Sequence, residues 1–174
     1  MLLGESGDFA EERHHGTTAG CLEMISTVVR NERPRNALDI GTGSAVLAIG
    51  IAKLGPIDVL ATDIDPVATK VAKENVRKNQ AGARVRCETA AGLRHLNIGR
   101  GAPYDLIVAN ILARPLMQMA PELAVSLSSG GSVILSGILA SQRQRVLAAY
   151  RIQRLFHVKT LWRNGWVTLH LRGK

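Results

Sequence analysis

Certain residues in this chain are spaced for chemistry. Gly41 and Gly43 sit in "LDIGTGSA", directly after a short apolar run. Asp63 ends "DVLATD", 22 residues after Gly41. Asn110 ends a second apolar run, "DLIVAN". A glycine pair after a strand lets the backbone turn tightly and approach a ligand, because no Cβ intervenes. An acid about 20 residues further on stands where a ribose is gripped, and its carboxylate can accept from both ribose hydroxyls. Asp65 is different: it precedes Pro66 and reads as a helix N-cap. The amide of Asn110 offers donors and an acceptor where a buried strand opens. It can orient a nucleophile or hold an amino group, with a bond to local backbone as the competing reading.

The same pattern narrows the ligand. A dinucleotide fingerprint wants a third glycine three places after Gly43, and Val46 stands there. Asp63 repels a 2′-phosphate. A ligand with a ribose and no pyrophosphate fits better, and S-adenosyl-L-methionine is the obvious member of that class. Glu88 ends "RVRCE", where an adenine edge would lie; an exposed polar residue at a strand end is the alternative. His14 and His15 are adjacent, but no Cys, His or acid cluster at ligand spacing accompanies them, so no metal is expected. Thr17 or Thr18 reads as a helix cap.

These residues need elements to position them. Apolar residues from Cys21 to Val29 recur at helical spacing. Five strands follow, at "ALDI", "DVLATDI", "RVRCE", "DLIVANI" and "GGSVILSG", interleaved with amphipathic helices. "HVKTLWRNGWVTLHL" holds two alternating runs about Asn164-Gly165, a hairpin signal. Alternating strands and helices imply a parallel sheet covered on both faces, and the hairpin implies one antiparallel strand at its edge. Trp162 and Trp166 flank the turn and are expected to pack across the strands. Residues 1–13 read as a mobile arm.

Composition sets outer bounds. The 174 residues suffice for one domain with a real core, and 46% hydrophobic content argues against disorder. No apolar run approaches the roughly 18 residues of a membrane span. Cys21 and Cys87 are the only cysteines, which with no secretory signal suggests a cytosolic chain with free thiols. Residues 1–90 carry 11 Lys and Arg against 12 acids, a net of −1, while residues 91–174 carry 11 against 2, a net of +9. The basic C-terminal half suits an anionic partner, RNA being the commonest. Aromatics are only 3%, too few for base-stacking platforms.

"HHGTTAGCL", "LDIGTGSAVLAIGIAKLG", "TDIDPVA", "VANILARPL", "APELA" and "LSGILASQ" occur in that order. Together they resemble the catalytic domain of the PrmA family, bacterial methyltransferases acting on large-subunit ribosomal protein eleven. The resemblance covers residues 14 to 174. It implies an α/β class I methyltransferase fold, Rossmann-like, with a seven-stranded, mostly parallel sheet and a C-terminal antiparallel hairpin. It implies S-adenosyl-L-methionine as methyl donor, a ribosomal protein substrate and contacts from Thr18, Gly41, Asp63 and Asn110. Two departures stand out. A Phe-Gly-Thr-Gly segment precedes the histidine in the family, where this chain has "FAEERHH"; and Ala45 stands where the family's loop has glycine. The family's N-terminal recognition domain is expected to be absent. The alternatives are a cofactor- or RNA-binding fragment without activity, or a methyltransferase for another protein or a small molecule.

Overall fold

The computed structural model describes the backbone from Glu5 to Lys174 and the side chains from Gly16 onward. It opens with a long helix, α1 (Glu5–Glu32), followed by β1 (Asn36–Ile40), α2 (Val46–Leu54), β2 (Asp58–Asp63), α3 (Pro66–Lys78) and β3 (Val85–Thr89). The second half holds α4 (Leu96–Gly101), β4 (Tyr104–Asn110), α5 (Ala113–Ser126), β5 (Leu127–Leu139), α6 (Arg143–Ile152), β6 (Phe156–Arg163) and β7 (Trp166–Arg172). The strands form one seven-stranded sheet in the order β3-β2-β1-β4-β5-β7-β6. This is the class I architecture that the resemblance implies. Strand order reverses between β1 and β4, so the ligand crevice of such a sheet lies at their carboxyl ends.

Side chains alternate across the sheet, as a period of two demands. Ala37, Leu106 and Val108 face one core layer with Met24, Ile25 and Ile51. Leu38, Ile107 and Val133 face the other, with Leu116, Leu123 and Tyr150. Both faces are therefore apolar, which is why β4 reads as a near-continuous hydrophobic run. Pro121 lies inside α5 without ending it. Both cysteines are free and buried. Burial pushes the Cys21 thiol up to about 12, so it stays protonated.

Several expectations need correction. The helix at the N-terminus does not begin at Thr17 or Thr18; both lie inside α1, where neither can cap it. Of the expected arm, residues 1–4 lie outside the described residues, and from Glu5 the backbone already belongs to α1. The side chains of His14 and His15 also lie outside them. The antiparallel strand is β7, and it is not at the edge: it pairs with β5 on one side and β6 on the other. The connection through α6 carries β6 one strand position too far, and β7 returns into the gap. The tryptophans do not meet. Trp162 opposes Val167 and Arg163 opposes Trp166, so the two rings project from opposite faces. Trp166 is buried, whereas Trp162 is exposed with the Arg143 guanidinium 5.5 Å above its ring.

Polar groups fasten α1 to the sheet. The Ser132 hydroxyl donates to Glu32 at 2.6 Å and lies 2.7 Å from His170 Nε2. Nearer the crevice, Ser136 and Thr168 pair at 2.9 Å, and a Cβ on Gly20 would come within 2.6 Å of the Thr168 hydroxyl. Arg163 bonds Glu23 on the exposed flank.

β5 runs from 127 to 139, longer than the expected "GGSVILSG", because it continues past a register shift between Leu135 and Ile138. Gly137 sits in that irregularity with φ +78°. A Cβ there would run into the Ile111 carbonyl oxygen and lie 2.9 Å from its carbon. Gly130 shares the conformation, at φ +71°, but a Cβ on it would meet nothing within 4 Å. Gly130→Ala should therefore cost only the left-handed penalty, about 1–2 kcal/mol. Gly137→Ala should cost a further 1–3 kcal/mol, roughly, from overpacking. Denaturant unfolding of both variants measures the difference. Equal losses would show that Ile111 yields freely and that its backbone is not held by Gly137.

Candidate functional site

The crevice is built from the ends of β1, β2 and β4 and roofed by α1. After Ile40 the chain enters a loop in which Gly41 and Gly43 both take positive φ, +67° and +56°. The Gly43 N–H donates to Asp63 Oδ2 at 2.9 Å. The other Asp63 oxygen accepts from the Asp65 N–H at 3.0 Å. The carboxylate is thus oriented by two backbone donors, and each oxygen keeps a lone pair for a further donor. Asp65 itself caps α3, accepting from the Val67 N–H at 2.8 Å, as its place before Pro66 predicts.

Two cavities meet over Gly41. The smaller, about 80 Å³, is lined by Thr17, Thr18, Gly41, Thr42, Gly43 and Asn110, among others. The larger, about 420 Å³, includes Gly41, Asp63, Ile64, Ile111, Leu112 and Met119 in its walls. Thr18 Oγ1 is buried and makes no hydrogen bond among the described residues. The Asn110 amide at the mouth of β4 likewise has no partner among them. Ile64 and Leu112 are apolar yet 72% and 55% exposed, which marks the larger cavity as a place where an apolar body is received. Free polar atoms in one cavity and uncovered apolar walls in the next suit a ligand with a polar tail and a flat apolar head.

Glu88 is not brought to either cavity. Thr89, not Glu88, ends β3. The Glu88 carboxylate is taken up by the Asn97 amide at 2.5 Å and lies 3.9 Å from His95.

Asp39 was not among the residues singled out from the sequence, although a lone acid inside the apolar "ALDI" was visible there. It is 1% exposed, directly before the glycine loop. Its Oδ2 accepts from the Thr42 hydroxyl at 2.6 Å, and its Oδ1 has no hydrogen-bond partner. Burial raises its pKa to about 6, against the pull of the Thr42 hydroxyl and the nearby Ala48 N–H; the Asp63 charge adds to the rise. Negative charge held beneath the smaller cavity favours a cationic group above it.

With this geometry, comparison with known proteins is decisive. The family model for ribosomal protein L11 methyltransferase (PrmA) matches residues 13–174. The chain belongs to the ribosomal protein L11 methyltransferase family. The relative in Rhizobium rhizogenes is 63% identical over 158 residues, covering 91% of this chain and 54% of its own length. That in Agrobacterium fabrum is 60% identical over 168 residues, covering 97% and 58%. The chain therefore spans little more than half the length of these curated relatives. Among solved structures, a ribosomal protein L11 methylase from Lactobacillus delbrueckii subsp. bulgaricus superposes with a TM-score of 0.77 at 31% identity. The match covers 88% of this chain and 78% of that one.

Ala45, where the resemblance implies a glycine, has a φ of +65°. An alanine in this region costs about 1–2 kcal/mol. Its fully buried methyl returns about 0.8 kcal/mol, and its smaller unfolded-state entropy about 0.4–1. The strain is offset only in part, so Ala45 carries a small net cost.

Asp39 generates a test. Its carboxyl binds a proton more tightly in the folded protein than in the unfolded chain. Its contribution to stability is therefore most favourable below pH 3.8 and falls as pH rises toward 6. Asp39→Asn, nearly isosteric, removes that fall. The variant should melt above the parent at pH 7.5, by roughly 2–4 °C for each kcal/mol relieved. The gap should close near pH 4. Comparing the two proteins cancels His170, whose pKa burial lowers and whose pH dependence runs the other way. A variant melting below the parent at pH 7.5 would mean that the buried charge is stabilising.

Proposed function

We propose that this chain is the S-adenosyl-L-methionine-binding, methyl-transferring part of a cytoplasmic protein N-methyltransferase whose substrate is a ribosomal protein. The domain would comprise residues 14–174. The observation that carries the reading is the convergence of Thr18, Gly41, Gly43, Asp63 and Asn110 on two cavities that meet over Gly41.

The residues divide the cofactor between them. Asp63, held by the Gly43 and Asp65 N–H groups, accepts from the ribose hydroxyls. Ile64, Leu112 and Met119 enclose the adenine. The Thr18 hydroxyl and the Asn110 amide supply the polar contacts of the smaller cavity, and buried Asp39 favours the ammonium end. Bound there, the cofactor supplies an electrophilic sulfonium methyl.

The protein must then present a neutral amine in line with that methyl. A free lysine, with pKa about 10.4, is almost wholly protonated at neutral pH. Among the cavity residues, Asp63 is the one carboxylate, and it is committed to the loop. Desolvation against Ile111, Leu112 and Pro115 therefore does the work of lowering the amine's pKa. Asn110 orients the amine, a role of positioning rather than proton transfer.

RNA contact through the basic C-terminal half belongs to the same reading. Three of that half's eleven cations are committed to acids: Arg163 to Glu23, Arg172 to Glu32 and Arg94 to Glu122.

Calorimetric titration with S-adenosyl-L-methionine tests the site. The parent should bind, and Asp63→Ala should weaken binding at least tenfold, about 1.4 kcal/mol. No binding by the parent, or an unaffected variant, overturns the cofactor assignment. In a protein of the relatives' full length that contains this chain, Asn110→Ala should weaken cofactor binding and, at saturating cofactor, still lower kcat for the ribosomal protein by about 10²-fold. Unchanged turnover removes Asn110 from the mechanism.

A further inference from the structure

The opposite end of the sheet carries a second feature. Arg35 precedes β1, whose five residues place the cofactor loop about 17 Å away. Arg30, Arg33 and Arg35 line one cavity of about 450 Å³, floored by Val29, Leu54 and Ile57. All three arginines are exposed, and none of their side chains has a hydrogen-bond or ion-pair partner among the described residues. No carboxylate lines this cavity. Charge of one sign, gathered without compensation, is the first requirement of an anion site.

Helix geometry accounts for only part of this. The C-terminus of α1 favours a cation in its last turn, which explains Arg30. Arg33 is a different matter. Its N–H bonds the Val29 carbonyl at 3.1 Å and its φ is +51°. That is the helix-terminating position normally given to glycine. A long side chain there costs about 1–2 kcal/mol, and the chain carries one all the same.

The site does not stop at one cavity. An adjoining groove of about 750 Å³ shares Arg33, Pro34 and Arg35 and adds Lys159 and Arg172. Its two carboxylates are already engaged, Asp105 by the Arg35 N–H and the Ser128 hydroxyl, Glu32 by Ser132 and Arg172. Two grooves joined by a shared arginine pair suit a polymer with repeating negative charge better than a single small anion. Guanidinium forks match phosphate oxygens, and their planes stack on bases. The apolar floor gives a base somewhere to lie, which a purely acidic chain such as polyglutamate cannot match.

We propose that Arg30, Arg33 and Arg35, with the adjoining Lys159, form a docking track for single-stranded RNA at the amino ends of the strands. The track is separate from the methyl-transfer crevice; only the choice of RNA over DNA leans on the family's ribosomal-protein substrate.

Fluorescence anisotropy with a labelled oligouridylate of roughly 12 nucleotides tests it, between about 50 and 200 mM salt. The variant is Arg30→Gln, Arg33→Asn, Arg35→Gln, with asparagine chosen because it tolerates positive φ. The control removes equal charge elsewhere: Lys70→Gln, Arg100→Gln, Arg145→Gln, on three other helices. The parent should bind. The arginine variant should bind at least tenfold more weakly, and its slope of log K against log salt should become shallower by about 2, near 0.7 for each phosphate that is no longer neutralised. The control should weaken by no more than about threefold. S-adenosyl-L-methionine titration of the arginine variant should match the parent, which separates failure of the track from failure of the crevice. The proposal is overturned if the parent binds no oligouridylate at 50 mM salt. It is overturned equally if both triple variants weaken alike, or if polyglutamate of similar length binds as tightly.

Discussion

Ile111 is clasped between two glycines, and the crevice depends on that clasp. A Cβ on Gly41 would strike its Cγ2, and one on Gly137 would strike its carbonyl. The carboxyl ends of β1, β4 and β5 therefore come closer than any side chain allows. The close approach sets where the residue before Ile111, Asn110, can put its amide. It also sets where the loop after β1 can turn, and hence where the Gly43 N–H meets Asp63. A donor, an acceptor and an apolar wall from separate strands are held in one place by this close approach together with the Gly43–Asp63 hydrogen bond.

The roof is held differently. α1 lies on the sheet through buried polar contacts: the Ser136 hydroxyl donates to the Thr17 carbonyl near the crevice, and Ser132 and His170 meet Glu32 at the far end. Buried polar contacts of this kind add little net stability, but they specify register, because a slipped helix would leave them unpaired. That register is what brings Thr18, inside a helix, over Gly41 and Asn110. The Thr18 hydroxyl and one Asp39 oxygen are left without hydrogen-bond partners among the described residues. Local order is thus strong around groups that are themselves left unsatisfied, as expected where a ligand completes the bonding.

Much of this was legible in the sequence, for physical reasons. Strand and helix alternate with clear periods, so the parallel sheet could be read from "ALDI", "DVLATD" and "DLIVAN". Gly41, Gly43, Asp63 and Asn110 stood at strand ends, where open α/β sheets bind ligands. What escaped was non-local. Thr18 looked like a cap because the helix that contains it begins at Glu5, in a stretch without apolar period. Glu88 looked like a ligand because a strand end cannot reveal that Asn97, nine residues on, will occupy its carboxylate. The place of β7 depends on how far α6 carries β6, and the Trp162 and Trp166 faces depend on a register that no local pattern encodes. Asp39 was visible as an acid in an apolar strand, but its burial beside the loop was not.

Charge shows the same limit in a form that bears on function. Counted along the chain, the excess positive charge belongs to the C-terminal half. Folded, three of that half's eleven cations pair with Glu23, Glu32 and Glu122. The first 90 residues carry no net excess, yet they hold Arg30, Arg33 and Arg35 around a cavity that no carboxylate lines. Net charge governs steering at long range, where the whole field is felt. Contact is governed by which cations the fold leaves unpaired. The two ends of one sheet thus acquire opposite characters. Steric closeness and free hydrogen-bonding groups make the carboxyl ends fit for a small, ordered ligand. Uncompensated arginines over an apolar floor make the amino ends fit for a flexible polyanion. Because the strands between them are rigid and apolar, each end can be altered without disturbing the other.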